Sequence, residues 1–241
     1  MKAMILAAGL GARLKTLTSS TPKALIKIKQ RTLLEILINR LKSFGVDQII
    51  INVHYLAGQI ITYLENNNYF DIHIEISMEK ELLDTGGGLK KAGWFFDDGK
   101  PFLVHNVDVL CDINYDEFYG RHLNNNCLAT LAARQRKTNR YLLCDEQHYL
   151  CGWQSEQTGE KRITRHANGS LFPVSFTGIH VISPELLSLL PAENKFSIIE
   201  AYLQIAEENL IKIDLTDAGR WLDVGRPQHL QQAEKLFPEY F

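Results

Sequence analysis

Short apolar segments alternate with amphipathic ones along the first hundred residues of the chain. The apolar runs are rich in Ile, Leu and Val, as buried strands are, and the segments between them have the spacing of helices. We expect strands at 3–8, 48–53, 72–77 and 102–105, and helices at 32–44, 57–64 and 89–96. This alternation predicts a parallel sheet with helices on both faces.

The helix at 32–44 has signals at both of its ends. Leu33, Ile36, Leu37 and other apolar residues up to position 44 recur at helical spacing. Thr32 is suited to cap the start, and Gly45 is suited to end the helix. We therefore predict that this helix begins after Thr32 and ends before Gly45.

The pattern loosens after residue 108. We expect short strands at 128–134, 140–144, 150–153, 176–182, 210–215 and 220–224, and helices at 184–190, 197–208 and 227–236. The stretch 154–173 is polar and rich in turn residues, which favours a mobile surface loop that could close over a substrate. The fold prediction is an α/β, Rossmann-like single domain over 1–241, with a mostly parallel sheet flanked by helices and a small inserted β subregion.

Composition and charge exclude several classes of function. The chain has 241 residues, 45% hydrophobic and 22% charged, which is typical of a globular protein. Its 26 Lys and Arg against 28 Asp and Glu give a net charge of -2, which argues against polymeric nucleic acid as a partner. No apolar run approaches the roughly 20 residues of a membrane helix, so we expect no membrane association.

The start of the chain and the cysteines favour the cytoplasm. A glycine interrupts the apolar start by residue 9, so we interpret it as a strand rather than a signal peptide. The cysteines at 111, 127, 144 and 151 form no C-x-x-C pair, which favours reduced, buried thiols over a metal site or disulfides.

The turn after the first predicted strand has features of a phosphate-binding loop. Gly9 and Gly11, in LAAGLGARL, allow several backbone N–H groups to point together. Arg13 adds a fork of charged donors, and Lys23 adds a compact cation. The segment lacks the G-K-[ST] of a Walker loop and the third glycine of a dinucleotide fingerprint, which argues against a nicotinamide dehydrogenase. The glycines alone would also fit a tight turn without a ligand.

A second glycine cluster follows at 86–88. Three glycines cost about 1 kcal/mol each in a helix relative to Ala, so the cluster predicts either a close backbone approach or a flexible loop.

Two aspartates follow predicted apolar strands. Asp108 comes after the strand at 102–105, and Asp223 lies in a short strand that ends at Gly225. Open parallel sheets bind ligands at the carboxyl ends of their strands, and two carboxylates meeting there would suit Mg²⁺. Each aspartate alone would equally fit a cap or a turn, and their separation in the sequence leaves their convergence open.

Together these motifs resemble those of sugar-1-phosphate nucleotidyltransferases. That family shows G-x-G-[TE]-R-[LM] followed by P-K, as in LAAGLGARL and the Pro-Lys pair at 22–23. The resemblance continues in chain order through DTGGG at 84–88, NVD at 106–108, FTGI at 176–179 and WLDVG at 221–225. The similarity is greatest to N-acetylmuramate-1-phosphate uridylyltransferases and small mannose-1-phosphate guanylyltransferases. The chain departs from the family pattern at Ala12, Val107 and Arg226, which bears more on the preferred sugar than on the reaction class.

The resemblance implies a role for each matching residue. Arg13 and Lys23 would be catalytic, with Lys23 reaching the α-phosphate and Arg13 holding the triphosphate. The implied nucleotide contacts are Leu6, Ala7, Ala8, Gly9, Gly11, Ala12, Arg13, Lys23, Glu79, Asp84 and Thr85. The implied sugar-phosphate contacts are Asn106, Thr177, Gly178 and Glu200. Asp108 and Asp223 would bind Mg²⁺.

The resemblance also implies an activity in nucleotide-sugar and cell-wall biosynthesis. An NTP and a sugar 1-phosphate would give an NDP-sugar and pyrophosphate, with UTP and N-acetylmuramate 1-phosphate or a related hexose 1-phosphate as the first expectation. A mannose-1-phosphate guanylyltransferase, a cytidylyltransferase for an alcohol phosphate such as phosphocholine, and a non-catalytic nucleotide-binding module are the alternatives. About 1–110 would bind the nucleotide and about 111–241 the sugar phosphate, in a monomer or small homo-oligomer. Without a hexapeptide repeat, we expect no β-helical tail.

Overall fold

A computed structural model describes residues 1–216 and 219–240, apart from the side chains at 15 and 16. The strands of the described residues are β1 (Lys2–Leu6), β2 (Lys27–Ile28), β3 (Arg31–Thr32), β4 (Gln48–Val53), β5 (His73–Met78), β6 (Phe102–Asn106), β7 (Val109–Cys111), β8 (Ala129–Arg134), β9 (Arg140–Cys144), β10 (Leu150–Ser155), β11 (Lys161–Ile163), β12 (Phe172–Ile182), β13 (Ile211–Leu215) and β14 (Trp221–Asp223). The α-helices are α1 (Leu33–Ser43), α2 (Ala57–Asn66), α3 (Asp84–Ala92), α4 (Tyr115–Leu123), α5 (Ile198–Ile205) and α6 (Pro227–Leu236).

A ten-stranded sheet forms the centre of the molecule. The strands β6, β1, β4 and β5 are neighbours in that order and all parallel. On the other side of β6, β12 runs antiparallel and leads to β9, β10 and β11, while β8 pairs with both β12 and β13. The α/β fold class with a Rossmann-like parallel core is confirmed, and the antiparallel strands form the β subregion.

Apolar cores cover both faces of the sheet, and β1 contributes to each. Because successive side chains of a strand point to opposite faces, Met4 packs in the core with α3 and α5, whereas Ile5 packs in the core with α1, α2 and α4. The central strand β4 is buried on both faces, and Ile49, Ile50 and Ile51 are fully buried. This double burial explains the continuous apolar run of the strand.

The predicted ends of the first helix are confirmed. The Thr32 hydroxyl accepts a hydrogen bond from the Glu35 amide at 3.0 Å and caps the first turn of α1. Gly45 follows the helix with a φ of 72°, a left-handed conformation that glycine adopts at low cost.

The interpretation of 154–173 as a surface loop agrees with the irregular backbone of 164–171 and was wrong for 154–163 and 172–173. Residues 154–163 belong to the antiparallel hairpin of β10 and β11, and β12 begins at Phe172. The residues of β11 are mostly polar, so they lack the alternation of apolar and polar residues that would predict a strand. Gly152 allows the hairpin to close tightly, since a Cβ there would lie 2.3 Å from the Arg162 carbonyl oxygen.

The glycines at 86–88 lie inside a helix, so the flexible-loop alternative and the predicted helix start at 89 were wrong. A Cβ at Gly86 would lie 2.3 Å from the Phe196 ring, and one at Gly87 would lie 2.1 Å from the Asn194 carbonyl oxygen. The alternative of a close backbone approach is therefore confirmed, and it explains why the helix tolerates residues of low helix propensity.

Two further predictions need correction. The segment predicted as a helix at 184–190 is a 3-10 helix, Pro184–Leu189, and the helix predicted at 197–208 is the shorter α5. The elements β7 and α4 were not predicted from the sequence.

Among the residues that the structure describes, no helix combines the length and apolar character needed to cross a membrane.

Candidate active site

The glycine turn after β1 is held in place by its own backbone and by a small apolar core. Gly11 has a φ of 64°, and its carbonyl oxygen accepts hydrogen bonds from the Leu14 amide at 2.8 Å and the Thr18 hydroxyl at 3.1 Å. Leu14, in the 3-10 helix Ala12–Leu17, is buried beside Leu222 and Val224. This packing anchors the turn against β14, and Arg13 lies on the side of the turn that faces Asp223.

A cavity of about 220 Å³ lies at the carboxyl ends of β1, β4 and β6. This is the edge at which open α/β sheets bind their ligands. Its lining residues are Leu6, Ala7, Ala8, Gly9, Lys23, Asn52, Leu82, Asp84, Thr85, Asn106, Val107 and Asp108. The set contains most of the predicted nucleotide contacts, together with Asn106 and Asp108.

Glu79 lies behind the cavity wall rather than in it. Its side chain is buried, its Oε1 accepts a hydrogen bond from Asn52 Nδ2 at 2.7 Å, and its Oε2 accepts one from the Leu83 amide at 3.0 Å. Asn52 Oδ1 in turn accepts from the Ala7 amide at 2.8 Å. Glu79 thus holds Asn52 and the start of α3 in position.

Asn52 is a site residue that the sequence analysis missed. It is a buried amide that joins β1 to β4 and lines the cavity. The signal was present in the sequence, since Asn52 is a polar residue inside the apolar strand QIIINV, where burial requires hydrogen-bond partners.

Asp108 and Asp223 lie side by side. Strand β14 pairs with β7, which places Asp223 opposite Val109, and the Val224 amide donates a hydrogen bond to the Asp108 carbonyl oxygen at 2.8 Å. Lys23 Nζ forms an ion pair with Asp108 Oδ2, and Arg13 Nη2 lies 3.6 Å from Asp223 Oδ2. Two cations and two carboxylates therefore meet at the mouth of the cavity.

The environment of Asp223 is unfavourable for its charge. Burial raises the pKa of its carboxyl group, and the neighbouring Asp108 carboxylate raises this pKa further, against the opposing effect of Lys23 and Arg13. Among the described residues, Asp223 Oδ1 is buried without a hydrogen-bond partner. A buried carboxylate oxygen without a partner beside a second carboxylate is a donor set that fits Mg²⁺.

Protein ligands alone would not complete such a metal site. Within 1–216 and 219–240, no group of three or more His, Cys, Asp or Glu side chains could hold a metal ion. Two carboxylates would need water and substrate oxygens to fill the coordination sphere, as Mg²⁺ sites commonly do. The metal itself stays a prediction.

The residues predicted to face the sugar phosphate occupy different environments. Asn106 lines the cavity and contacts Gly178, where a Cβ would lie 2.6 Å from Asn106 Nδ2. The buried Thr177 hydroxyl donates to the Ala132 carbonyl oxygen at 2.8 Å, within the sheet. Glu200 lies on α5 and forms an ion pair of 2.6 Å with Arg162 of β11. The structure therefore brings Asn106 and Gly178 together and leaves Glu200 outside the cavity lining.

Trp221 and Arg136 border the aspartate pair on the side of the antiparallel strands. Trp221 Nε1 donates to the Thr177 carbonyl oxygen at 3.0 Å, and the Arg136 guanidinium lies 4.5 Å from the centre of the Trp221 ring. The sequence analysis assigned neither residue a role. Trp221 was part of a quoted motif, whereas Arg136 lies in a polar segment with nothing in its spacing to distinguish it.

A larger cavity, of about 900 Å³, lies between α4, β13 and the ion pair of Asp112 with Arg220. None of the predicted site residues lines it. Size alone does not identify a site, and the smaller cavity is the one at which the cations, the carboxylates and the glycine turn meet.

Comparisons with known proteins agree with this arrangement. The family model described as "Nucleotidyl transferase" matches residues 2–142. The UTP–glucose-1-phosphate uridylyltransferase of Synechocystis sp. is 28% identical over 97% of this chain and 62% of its own length. The mannose-1-phosphate guanyltransferase of Yarrowia lipolytica is 30% identical over 98% of this chain and 64% of its own length. The N-acetylmuramate alpha-1-phosphate uridylyltransferase of Caulobacter vibrioides is 28% identical over 98% of this chain and 97% of its own length.

The chain thus spans less than two thirds of the first two relatives and nearly the whole of the third. Among solved structures, HddC of Yersinia pseudotuberculosis superposes with a TM-score of 0.78 at 23% identity, over 98% of this chain and 99% of that chain. At this identity the superposition establishes likeness of fold.

Proposed function

The chain belongs to the nucleotidyl transferase family, and from that premise we propose that it transfers a nucleotidyl group from an NTP to a sugar 1-phosphate. One observation carries the proposal. Lys23, Arg13, Asp108 and Asp223 converge at the mouth of a cavity that the glycine turn and three parallel strand ends enclose. Such a cluster of cations beside paired carboxylates suits a reaction between two phosphates.

In the proposed reaction, an oxygen of the sugar phosphate attacks the α-phosphorus of the NTP. A P–O bond forms to that oxygen, the bond between the α-phosphorus and its bridging oxygen breaks, and pyrophosphate leaves with the electron pair. The nucleophile is already an anion, so no general base is required. The protein must instead hold two anions in line and offset their repulsion, which is the task of fixed cations.

In the proposed complex, each part of the nucleotide contacts a different part of the cavity. The nucleoside would lie along the wall formed by 6–9, with Asn52 and Thr85 as nearby polar groups. The phosphates would extend towards the backbone N–H groups of the glycine turn and towards Arg13. Lys23, which its ion pair with Asp108 holds at the cavity, would contact the α-phosphate.

Asp108 and Asp223 are the residues that would hold Mg²⁺. The ion would supply positive charge to phosphate oxygens during transfer. The partnerless Asp223 Oδ1 and the raised pKa of this carboxyl group both support a cation here.

UTP and N-acetylmuramate 1-phosphate are the first substrates to test. The supporting observation is length, since this chain matches 97% of the Caulobacter vibrioides uridylyltransferase. GTP and mannose 1-phosphate form the second pair, because the Yarrowia lipolytica guanyltransferase is 30% identical.

The test is pyrophosphate release by the purified protein with each of the four NTPs against a panel of acceptors. The panel contains N-acetylmuramate 1-phosphate, mannose 1-phosphate, glucose 1-phosphate and phosphocholine. We expect one sugar 1-phosphate to give turnover with one NTP, and we expect EDTA to abolish it and Mg²⁺ to restore it. Turnover with phosphocholine as the only acceptor would contradict the proposal. NTP binding without pyrophosphate release from any pair of NTP and acceptor would also contradict it.

A further inference from the structure

Arg136 is a cation close to Asp108 and Asp223. The proposed reaction assigns no role to Arg136. It follows β8, and its guanidinium stacks 4.5 Å from the centre of the Trp221 ring. Trp221 and Asp223 are two residues apart on β14, so their side chains leave the strand on the same face. Burial lowers the pKa of Arg136, and the negative charge of Asp223 opposes this shift.

One donor of the Arg136 guanidinium is buried without a partner. Arg136 Nε is buried and lacks a hydrogen-bond partner, and the guanidinium forms no ion pair with any residue in the described parts of the chain. Burial lowers the pKa of Arg136, although an arginine keeps its charge in proteins. A buried donor without a partner costs free energy, and the negative charge of an anion bound beside the guanidinium would offset this cost.

The stacking on Trp221 prepares the guanidinium for such a ligand. The ring is itself held by the hydrogen bond from Trp221 Nε1 to the Thr177 carbonyl oxygen. A planar guanidinium fixed against a ring presents its N–H groups as a rigid fork, which matches the oxygens of a phosphate.

The position of Arg136 distinguishes two possible phosphates. Arg13 and Lys23 come from the segment after β1 and serve the nucleotide side of the cluster. Arg136 comes from the connection between β8 and β9 and lies against Trp221. Trp221 Nε1 donates to the Thr177 carbonyl oxygen, and Thr177 precedes Gly178, which contacts Asn106 at the bulge of β12. We propose that Arg136 binds the phosphate of the sugar 1-phosphate, an inference that rests on the proposed function.

The test compares Arg136→Gln and Arg136→Lys with the control Arg140→Gln, an exposed arginine on β9. Steady-state kinetics uses the NTP and sugar 1-phosphate that the screen identifies. We expect Arg136→Gln to raise the KM for the sugar 1-phosphate about 10- to 100-fold, the loss of a charged hydrogen bond, with the KM for the NTP unchanged. Arg136→Lys keeps the charge but loses the fork, so it should give a smaller increase.

Two results would overturn the assignment. One is an unchanged KM for the sugar 1-phosphate in Arg136→Gln, and the other is an equal rise in the KM for the NTP. Thermal unfolding followed by circular dichroism checks that the variants are folded. If Arg136→Gln fails to fold, Arg136→Lys must still raise the KM for the sugar 1-phosphate for the assignment to stand.

Failure of the proposed function has a different signature. If the wild-type protein transfers no nucleotide in the screen, it and the same variants are titrated calorimetrically with inorganic phosphate. Binding that the wild type and Arg140→Gln show and Arg136→Gln lacks would keep Arg136 as an anion site without the transferase role. Identical titrations for the wild type and Arg136→Gln would overturn the anion site as well.

Discussion

The ion pair of Lys23 with Asp108 joins a cation suited to phosphate and a carboxylate suited to a metal ion in one contact. Both side chains are largely buried, so the charges compensate each other in an environment that disfavours either one alone. The pairing keeps the ammonium group at the cavity and also reduces the repulsion between Asp108 and Asp223. A phosphate arriving at the cavity would meet a cation already in place, which is the basis of electrostatic catalysis.

Lys23→Ala should abolish most turnover while the protein remains folded. Losing one electrostatic contact to the reacting phosphate typically reduces the rate about 10²- to 10³-fold. The measurement is kcat at saturating concentrations of both substrates, with circular dichroism to confirm the fold. Lys27→Ala is the control, because Lys27 is an exposed lysine in the nearby strand β2. Wild-type turnover in Lys23→Ala would remove Lys23 from the catalytic residues.

At the scale of elements, the start of α3 is bound to the segment that leads into α5. The Gly86 and Gly87 amides donate to the Phe196 carbonyl oxygen at 3.0 and 3.2 Å. The Ile198 amide donates to the Thr85 hydroxyl at 3.0 Å, so Thr85 satisfies one of the first donors of α5. The start of α3, which lines the cavity at the ends of β1, β4 and β6, is therefore joined directly to α5, which carries Glu200.

Gly87→Ala should destabilise the protein, although alanine is the better helix former. A Cβ at Gly87 would lie 2.1 Å from the Asn194 carbonyl oxygen, and overpacking of this kind typically costs about 1–3 kcal/mol. Gly120→Ala in α4 is the matched control, since no atom lies within 4 Å of a Cβ there. We expect this control to stabilise the protein by up to about 1 kcal/mol.

Chemical denaturation measures the free energy of unfolding of both glycine variants. Opposite signs are expected for the two substitutions. A gain in stability from Gly87→Ala would show that the segment around Asn194 moves away at little cost.

At the scale of the whole molecule, three buried histidines link folding to pH. Burial lowers the pKa of His105 and His122 to about 4 and that of His180 to about 3. His105 Nδ1 donates to the Asn106 carbonyl oxygen at 2.8 Å, and its Nε2 accepts from the Tyr115 hydroxyl at 2.9 Å. These side chains are held neutral in the folded state.

The free energy of unfolding should fall as the pH is lowered from about 6.5 towards 4. An unfolded histidine has a pKa near 6.5, so in this range the unfolded chain binds protons that the folded protein does not, at about 1.4 kcal/mol per pH unit for each group. The stability from these histidines is fully present above pH 6.5. Denaturation at pH 7, 6 and 5 measures the slope.

His122→Gln should reduce that slope by about one proton, because the His122 ring is buried between the Thr130 and Ser183 hydroxyls. His166→Gln, at an exposed histidine, serves as the control for the substitution itself. An unaltered slope in His122→Gln would show that His122 is protonated in the folded protein.

The elements that the sequence determined are those whose evidence is local. The strand at 48–53 and the helix beginning after Thr32 follow from apolar spacing and from capping residues within a few positions, and the structure agrees with both. The tight backbone of the glycine turn is equally local, because the Leu14 amide and the Thr18 hydroxyl that bind the Gly11 carbonyl oxygen lie in the same short segment. The pattern determined these features because the interactions responsible for them join near neighbours in the chain.

Tertiary structure alone decided what depends on contacts between distant segments. It placed Asp223 beside Asp108 through the pairing of β14 with β7, and it placed Arg136 against Trp221. It also allowed the glycines of α3 to be helical, because the chain around Phe196 occupies the space that side chains would need. The helix propensity of a residue does not depend on neighbours that lie a hundred residues away in the sequence. Packing against such neighbours outweighs the cost of about 1 kcal/mol for each glycine in the helix.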